Sequence, residues 1–249
     1  MQNPDFIFGL RAVEEAIASG KEIDKILLRK DSHGGMEDFF KLLKTRPDIV
    51  VQKVPAERLN RITRKNHQGV IAFLSPIAYY DLETLVPDLF EAGRTPLVVV
   101  LDGVTDVRNF GAISRTCECS GVDAIIIPER NSVSVNADAV KTSAGALLHL
   151  PVARVKSLGY ALKYLKDSGI AIVGATEKSE KTYTTVDYTL PTAIVMGAED
   201  VGLSADSLRR CDDLVGIPMK GKVNSLNVSV AAGIMIYEAV RQRMNAGVF

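Results

Sequence analysis

The chain is poor in cysteine: three in 249 residues, Cys117, Cys119 and Cys211. That number, odd and small, excludes a disulfide-stapled secreted scaffold and fits a reduced compartment. Cys117 and Cys119 fall two apart in a stretch that reads as a helix, where such positions do not share a face, so they make no metal or redox pair. No apolar run reaches the length of a membrane span. The N-terminal MQNPDFIFGLRA lacks the basic region and long apolar core of a secretory leader. Together these absences lead to the expectation of a cytoplasmic protein without membrane or metal. Two nucleotide cradles are also missing. No G-x-G-x-x-G follows the first strand of the larger domain and no G-x-x-x-x-G-K-[ST] occurs anywhere, so a cofactor, if bound, is held in some other way.

What is present is an ordinary balance of 47% hydrophobic and 24% charged residues with a net charge of zero. The zero hides an asymmetry. Up to Ser75 there are 13 Lys and Arg against 10 Asp and Glu, and beyond it 17 against 20. The texture changes there too. The first 75 residues read as a small α/β domain: FGLRAVEEAIASG as an amphipathic helix closed by Gly20, then DKILLRK as a strand. MEDFFKLLKTRP reads as a helix stopped before Pro47, and IVVQKVP and GVIAFLSP as strands. Within it RLNRITRKNHQG carries the densest basic cluster, with Arg58, Arg61 and Lys65 at spacings of three and four and Arg64 beside them. Such a run is either a solvated helix face or a surface for phosphates. Residues 76–95 read as a linker with a short helix, DLETLVPDLFEAG, and residues 96–249 as the second domain.

In that domain PLVVVLDG, DAIIIP, GIAIVGAT, TAIVMGAE and DLVGIPM are continuously apolar, as strands buried on both faces of a parallel sheet are. Helical stretches such as FGAISRTCECSG, VNADAVKTSAGALL and SLGYALKYLKDSG separate them. The fold class is therefore α/β. Ligands of open parallel sheets bind beyond the carboxyl ends of the strands, and three unusual loops lie there: GVTDVRNFGAISR, MGAEDVGLS and IPMKGKVNSLNVS. Singly, each has a plain reading. Asn109 and Gly111 suit a turn, Glu199 a surface carboxylate, and Ser225 or Asn227 a helix cap.

In combination, N-F-G-A-I-S-R, M-G-A-E-D-V-G-L-S and I-P-M-K-G-K-V-N-S-L-N-V-S, in this order from Asp102 to Ser229, resemble the SpoU or TrmH family of the SPOUT superfamily. FGLRAVEEAI and NHQGVIAF resemble the L30e-like RNA-binding domain of one branch, closest to the group that methylates a guanosine ribose of bacterial 23S ribosomal RNA. The resemblance implies a trefoil-knotted parallel-sheet methyltransferase domain, S-adenosylmethionine as cofactor, RNA as substrate and a homodimer. It implies Asn109, Arg115, Glu199 and Asn227 as the polar groups around the target ribose. Gly197, Ile217, Met219, Leu226 and Val228 are implied as cofactor contacts. It also turns the basic cluster, Arg58, Arg61, Arg64 and Lys65, together with Arg11, into an RNA-binding surface. A transfer-RNA ribose methyltransferase and a non-catalytic RNA-binding or assembly factor are the rival readings. Where relatives have D-P before the Asn, this chain has Asp106-Val107-Arg108-Asn109, a departure expected to loosen the first loop. A guanidinium loses its proton only above pH ~12, so Arg115 is read as an electrostatic clamp on a phosphate and on the 2′ oxygen rather than as a base.

Overall fold

The computed structural model describes residues 6–31 and 36–248. They divide into two compact units, the first running to Ala78 and including Val135–Ala137, the second built from Tyr79–Ser134 and Asp138 onward.

The first unit is a four-stranded sheet with helices on both faces. Its elements are β1 (Phe6–Phe8), α1 (Leu10–Ala18), β2 (Ile23–Arg29), α2 (Glu37–Lys44), β3 (Val50–Val54), α3 (Ala56–Ile62) and β4 (Val70–Leu74). The sheet order is β1-β4-β2-β3. β4 runs antiparallel to both β1 and β2, whereas β2 and β3 are parallel. One face packs Ile26, Leu28, Val70 and Ala72 against Val13, Ala16 and Ile17 of α1 and Phe39 of α2. The other packs Leu27, Val54 and Ile71 under Leu59 of α3.

Two expectations are corrected here. FGLRAVEEAIASG is not one helix: Phe6–Phe8 form the edge strand β1, and the chain turns at Gly9, whose φ of +90° breaks the helical path before Leu10. The basic run is not one helical face either. α3 stops at Ile62, and Thr63 is extended at φ −148°, so Arg58 and Arg61 share a helix while Arg64 and Lys65 lie in the loop after it.

The second unit opens with α4 (Leu82–Glu91), whose Leu82, Leu85 and Val86 join that unit's core. Its six strands are β5 (Leu97–Asp102), β6 (Ala124–Pro128), β7 (Val152–Val155), β8 (Ala171–Ala175), β9 (Thr192–Gly197) and β10 (Asp213–Val215). They form one sheet in the order β10-β8-β9-β5-β6-β7, and every pairing is parallel. The helices between them are α5 (Val107–Ser120), α6 (Ala137–Thr142), α7 (Leu158–Asp167), α8 (Ala205–Arg210) and α9 (Val228–Ala246). The central strands β5 and β9 are buried and apolar apart from Thr192 and the terminal Asp102, and pair in register so that Asp102 lies opposite Gly197. That register sets the first two motif loops side by side. β7 escapes the apolar-run criterion because half-buried Arg154 interrupts V-A-R-V, which an edge strand tolerates. Among the described residues no helix is long and apolar enough to cross a membrane.

The last turns of α9 are fastened by a buried arginine. Arg243 is 2% exposed and donates to the carbonyls of Thr95 (2.6 Å), Pro96 (3.0 Å), Tyr188 (2.9 Å) and Leu190 (2.9 Å), at the entrances to β5 and β9. Burial lowers its pKa, opposed by the negative charge of Asp123. Arg243→Met fills the space but leaves the four carbonyls without their donor, so it is expected to cost roughly 2–3 kcal/mol, read as a lower urea midpoint at unchanged slope.

Candidate active site

The site is assembled at the carboxyl ends of β5, β9 and β10. At the first loop, Asp106 is the N-cap of α5, its Oδ1 accepting from the backbone N–H of Arg108 (2.9 Å) and Asn109 (2.8 Å). Val107 takes the first helical position, where proline is otherwise favoured, and Asn109 stands in the first turn of the helix rather than in a loop. With valine at 107, the aspartate cap holds the segment in a helical turn.

At the second loop the chain reverses immediately after β9. Ala198 and Gly202 exchange backbone hydrogen bonds of 3.1 and 2.8 Å, folding 198–202 back on the strand end. A Cβ on Gly197 would lie 2.2 Å from Gly202 C, 2.4 Å from Leu203 N and 2.5 Å from Gly202 O, so only glycine fits. Asp102, at the end of β5, accepts from the Ser204 N–H at 2.7 Å and ties this reversal to the neighbouring strand. The product is a tight turn that carries Glu199 on its outside.

The third loop ends at Asn227, which does two jobs with its two amide atoms. Its Oδ1 caps α9, accepting from Ser229 N (3.0 Å) and Ser229 Oγ (2.6 Å). Its Nδ2 donates to Asn109 Oδ1 (2.9 Å) and to Glu199 Oε1 (3.3 Å). Asn109 Nδ2 in turn donates to Glu199 Oε2 at 3.1 Å. One residue from each loop thus closes a ring in which the carboxylate serves both amides. Asn109 is half-buried and the other two are exposed, so a macromolecule can reach them. Such a ring can orient an amide N–H and a carboxylate oxygen toward an incoming hydroxyl.

Beside the ring is a cavity of about 350 Å³. Gly197, Ile217, Met219, Leu226 and Val228 all line it, and Glu199 belongs to both the ring and the cavity wall. Sequence reading missed Thr176, Glu177 and Lys178, which line it from the loop after β8. The rule that singled out the other three loops applies to this one as well, since it too leaves the carboxyl end of a parallel strand.

Arg115 is not part of the ring. It lies six residues beyond Asn109 on α5, about 120° round the helix and about 9 Å along it, exposed. It forms no hydrogen bond or ion pair with the described residues. Arg11, Arg58, Arg61, Arg64 and Lys65 are all exposed in the first unit. His67 fills a turn: its Nε2 is 2.9 Å from Asn60 Oδ1, and its Nδ1 accepts from Gly69 N at 3.0 Å. Burial pushes the Cys117 thiol far up and that of Cys211 to about 11, which leaves neither as a thiolate. Among the described residues no group of three or more His, Cys, Asp or Glu could hold a metal ion.

Comparison with known proteins adds the following. The profile of the SpoU rRNA Methylase family matches residues 96–237, and that of "RNA 2'-O ribose methyltransferase substrate binding" matches residues 6–80. A Staphylococcus saprophyticus protein named as a TrmH family tRNA/rRNA methyltransferase is 40% identical over 241 residues, covering 97% of each chain. The crystal structure of the SpoU methyltransferase AviRb from Streptomyces viridochromogenes, solved with AdoMet, superposes with a TM-score of 0.62 at 26% identity, covering 96% of this chain and 90% of that one. The A. aeolicus TrmH/SpoU tRNA modifying enzyme is 34% identical with a TM-score of 0.57, covering 67% of this chain and 86% of its own.

Proposed function

The chain belongs to the SpoU rRNA Methylase family and is an S-adenosylmethionine-dependent RNA ribose methyltransferase, and from that premise we propose that it methylates the 2′ oxygen of a guanosine in 23S ribosomal RNA. The observation that carries the reading is the junction of the Asn109–Glu199–Asn227 ring with the cavity through Glu199. It sets groups that bind a hydroxyl beside a slot for the methyl donor.

The cavity suits that donor. Its volume is within the range of small-molecule sites, Met196, Val215, Ile217, Leu226 and Val228 supply apolar wall for a purine, and Glu177, Glu199 and Asp200 outnumber Lys178 around a cationic sulfonium. S-adenosylmethionine supplies an electrophilic methyl group to a nucleophile held in line with its carbon–sulfur bond. The chain's own residues do the rest. Glu199 fixes both amides. The second Asn109 Nδ2 hydrogen and the carboxylate edge hold the ribose hydroxyls, and the amide dipole lowers the cost of negative charge on the 2′ oxygen as its proton passes to water. Arg115, without a hydrogen bond or ion pair among the described residues, clamps the phosphate next to the target. If Arg115 is such a clamp, Arg115→Lys keeps the pH profile of the parent while losing activity. A profile that moved to follow the lysine would instead make residue 115 the base.

Three further parts of the reading have support in the fold. A homodimer through α9 accounts for Val230, Tyr237 and Met244, exposed by 51, 52 and 67% and spaced seven apart in one stripe. Light scattering at working concentration is expected to give twice the chain mass, and a monomer would refute this. A knotted path is supported at Gly216, whose N–H donates to Lys181 O (2.8 Å) and whose carbonyl accepts from Tyr183 N (3.1 Å). A Cβ there would come within 2.7 Å of Ser179 O, so the chain leaving β10 packs tightly against the 176–183 loop, as a knotted path requires. A cytoplasmic location accompanies an RNA substrate. Mapping 2′-O-methylation in ribosomal and transfer RNA from a strain lacking the chain tests the target: one missing methyl on a 23S guanosine is expected, and a missing methyl in transfer RNA would replace the target with the rival one.

A further inference from the structure

We propose that the face of the first unit's sheet bearing Phe6, Phe8 and Phe73 is a stacking surface for unpaired RNA bases. The bases lie on the rings, and their phosphates on the cations carried by that same face. The proposal deepens the RNA reading above and rests on it.

The strand register creates the surface. Phe6 pairs with Phe73, Phe73 with Lys25, and Lys25 with Val50, so these four residues form one row across all four strands on one side of the sheet. Phe8, two residues on from Phe6, belongs to the same side. The Phe6 ring centroid is 5.9 Å from that of Phe73 and 6.2 Å from that of Phe8, with tilted planes. All three rings are half-buried rather than sealed in. The core on this side is small: Leu27, Val54, Leu59 and Ile71, with α3 as the helix laid on it, whereas α1 and α2 pack on the opposite side. A tight hydrophobic core would have closed over the phenylalanines; here they border it.

Charge on this side is mostly positive. Lys25 Nζ stands 5.3 Å from the Phe73 centroid and Lys65 Nζ 6.0 Å from the Phe8 centroid. Arg58 and Arg61 ride on α3, and Arg64 lies in the loop that follows. Among the described residues, carboxylates on the neighbouring elements include Glu57 on α3 and Asp24, which pairs with Lys25 at 3.8 Å. Aromatic rings interleaved with cations on a sheet face match single-stranded RNA, whose bases offer a flat apolar surface and whose backbone offers charge. A paired helix hides its base faces and could use only the cations. This gives the run of cations at 58–65 and the F-I-F of β1 a joint purpose: to select an unpaired stretch of the substrate.

The test uses the full chain and fluorescence anisotropy with a labelled single-stranded RNA 12-mer and with a duplex RNA of the same length. Phe73→Leu and Phe6→Leu, each checked for unchanged melting and unchanged S-adenosylmethionine binding, should weaken single-strand binding by about 5–20-fold and duplex binding by less than about 2-fold. Phe73→Tyr keeps a ring and should stay within about 2-fold of the parent on both. Arg61→Ala should weaken both RNAs alike and flatten the salt dependence. If a leucine variant does not fold, 2-aminopurine placed in the single strand gives a second measurement on the unaltered chain, whose binding should quench the probe. Equal binding by the leucine variants, equal losses on the two RNAs, or no quenching would overturn the proposal, including in favour of a protein partner on this face. Those results would leave the methyltransferase reading intact provided the same preparation still methylates RNA; failure of that reading is seen separately, as absence of methyl transfer by the parent.

Discussion

Asn109→Ala is expected to bind S-adenosylmethionine as the parent does and to transfer methyl groups about 10²–10³ times more slowly, the usual cost of removing one positioned donor to a developing negative charge. The separation of effects follows from geometry. Asn109 bonds to Glu199 and Asn227 but does not line the cavity, so its loss strips the ring and spares the cofactor. Glu199→Gln is a finer probe of the same ring. The carboxylate presents Oε2 to Asn109 Nδ2 and Oε1 to Asn227 Nδ2. A glutamine has one acceptor for two donors, so one amide must face another. The variant should keep the backbone turn and lose activity by about 10-fold or more. In the Asn109→Ala/Glu199→Ala double variant the losses should not multiply, because the two side chains act as one unit. Equilibrium binding of the cofactor and single-turnover methyl transfer separate the two quantities. Multiplicative losses would mean that Asn109 and Glu199 work independently.

The second large effect is structural. Gly197→Ala should lose cofactor binding and lower the melting temperature of the catalytic unit by roughly 6–12 °C, corresponding to about 3 kcal/mol of overpacking. The added methyl meets only main chain, Gly202 C and O and Leu203 N, all within 2.5 Å. A side chain could swing aside; the reversal at 198–202 cannot, because its paired hydrogen bonds and the Asp102–Ser204 bond hold it. Gly221, in the third loop, is the control. A Cβ there would meet nothing nearer than Val223 N at 4.0 Å, so Gly221→Ala should melt and bind within error of the parent. Equal effects at both positions would show that loop flexibility, not the close crossing of chain at Gly197, governs the site.

The sheet of the second unit was legible because its inner strands are buried on both faces and so carry apolar runs, and such runs mark five of its six strands. β7 was not, since Arg154 interrupts it at an edge. The last residue of β1, Phe8, reads as the start of a helix, and only Gly9 marks the break. The three motif loops gave the ring its members, yet nothing in their spacing revealed that Asn227 divides its amide between a helix cap and the ring. Residues whose role depends on distant chain were out of reach altogether. Arg243 resembles any surface arginine near the end of a helix, and its four carbonyl partners lie 53–148 positions away in sequence. The spacing of Arg58, Arg61 and Lys65 suits a helix face, and spacing cannot sense that Thr63 is extended. Thr176, Glu177 and Lys178 were within reach of the strand-end rule but carried no distinctive residue pattern.

The ring and cavity together make one chemical claim, that methyl is passed from S-adenosylmethionine to a ribose hydroxyl of RNA. The direct measurement incubates the purified chain with labelled S-adenosylmethionine and ribosomal RNA, digests the RNA to nucleosides and locates the label. The account predicts label on the 2′ oxygen of a ribose with the parent and its near-disappearance with Asn109→Ala. Label on a base, or cofactor bound without any transfer to RNA, would contradict it.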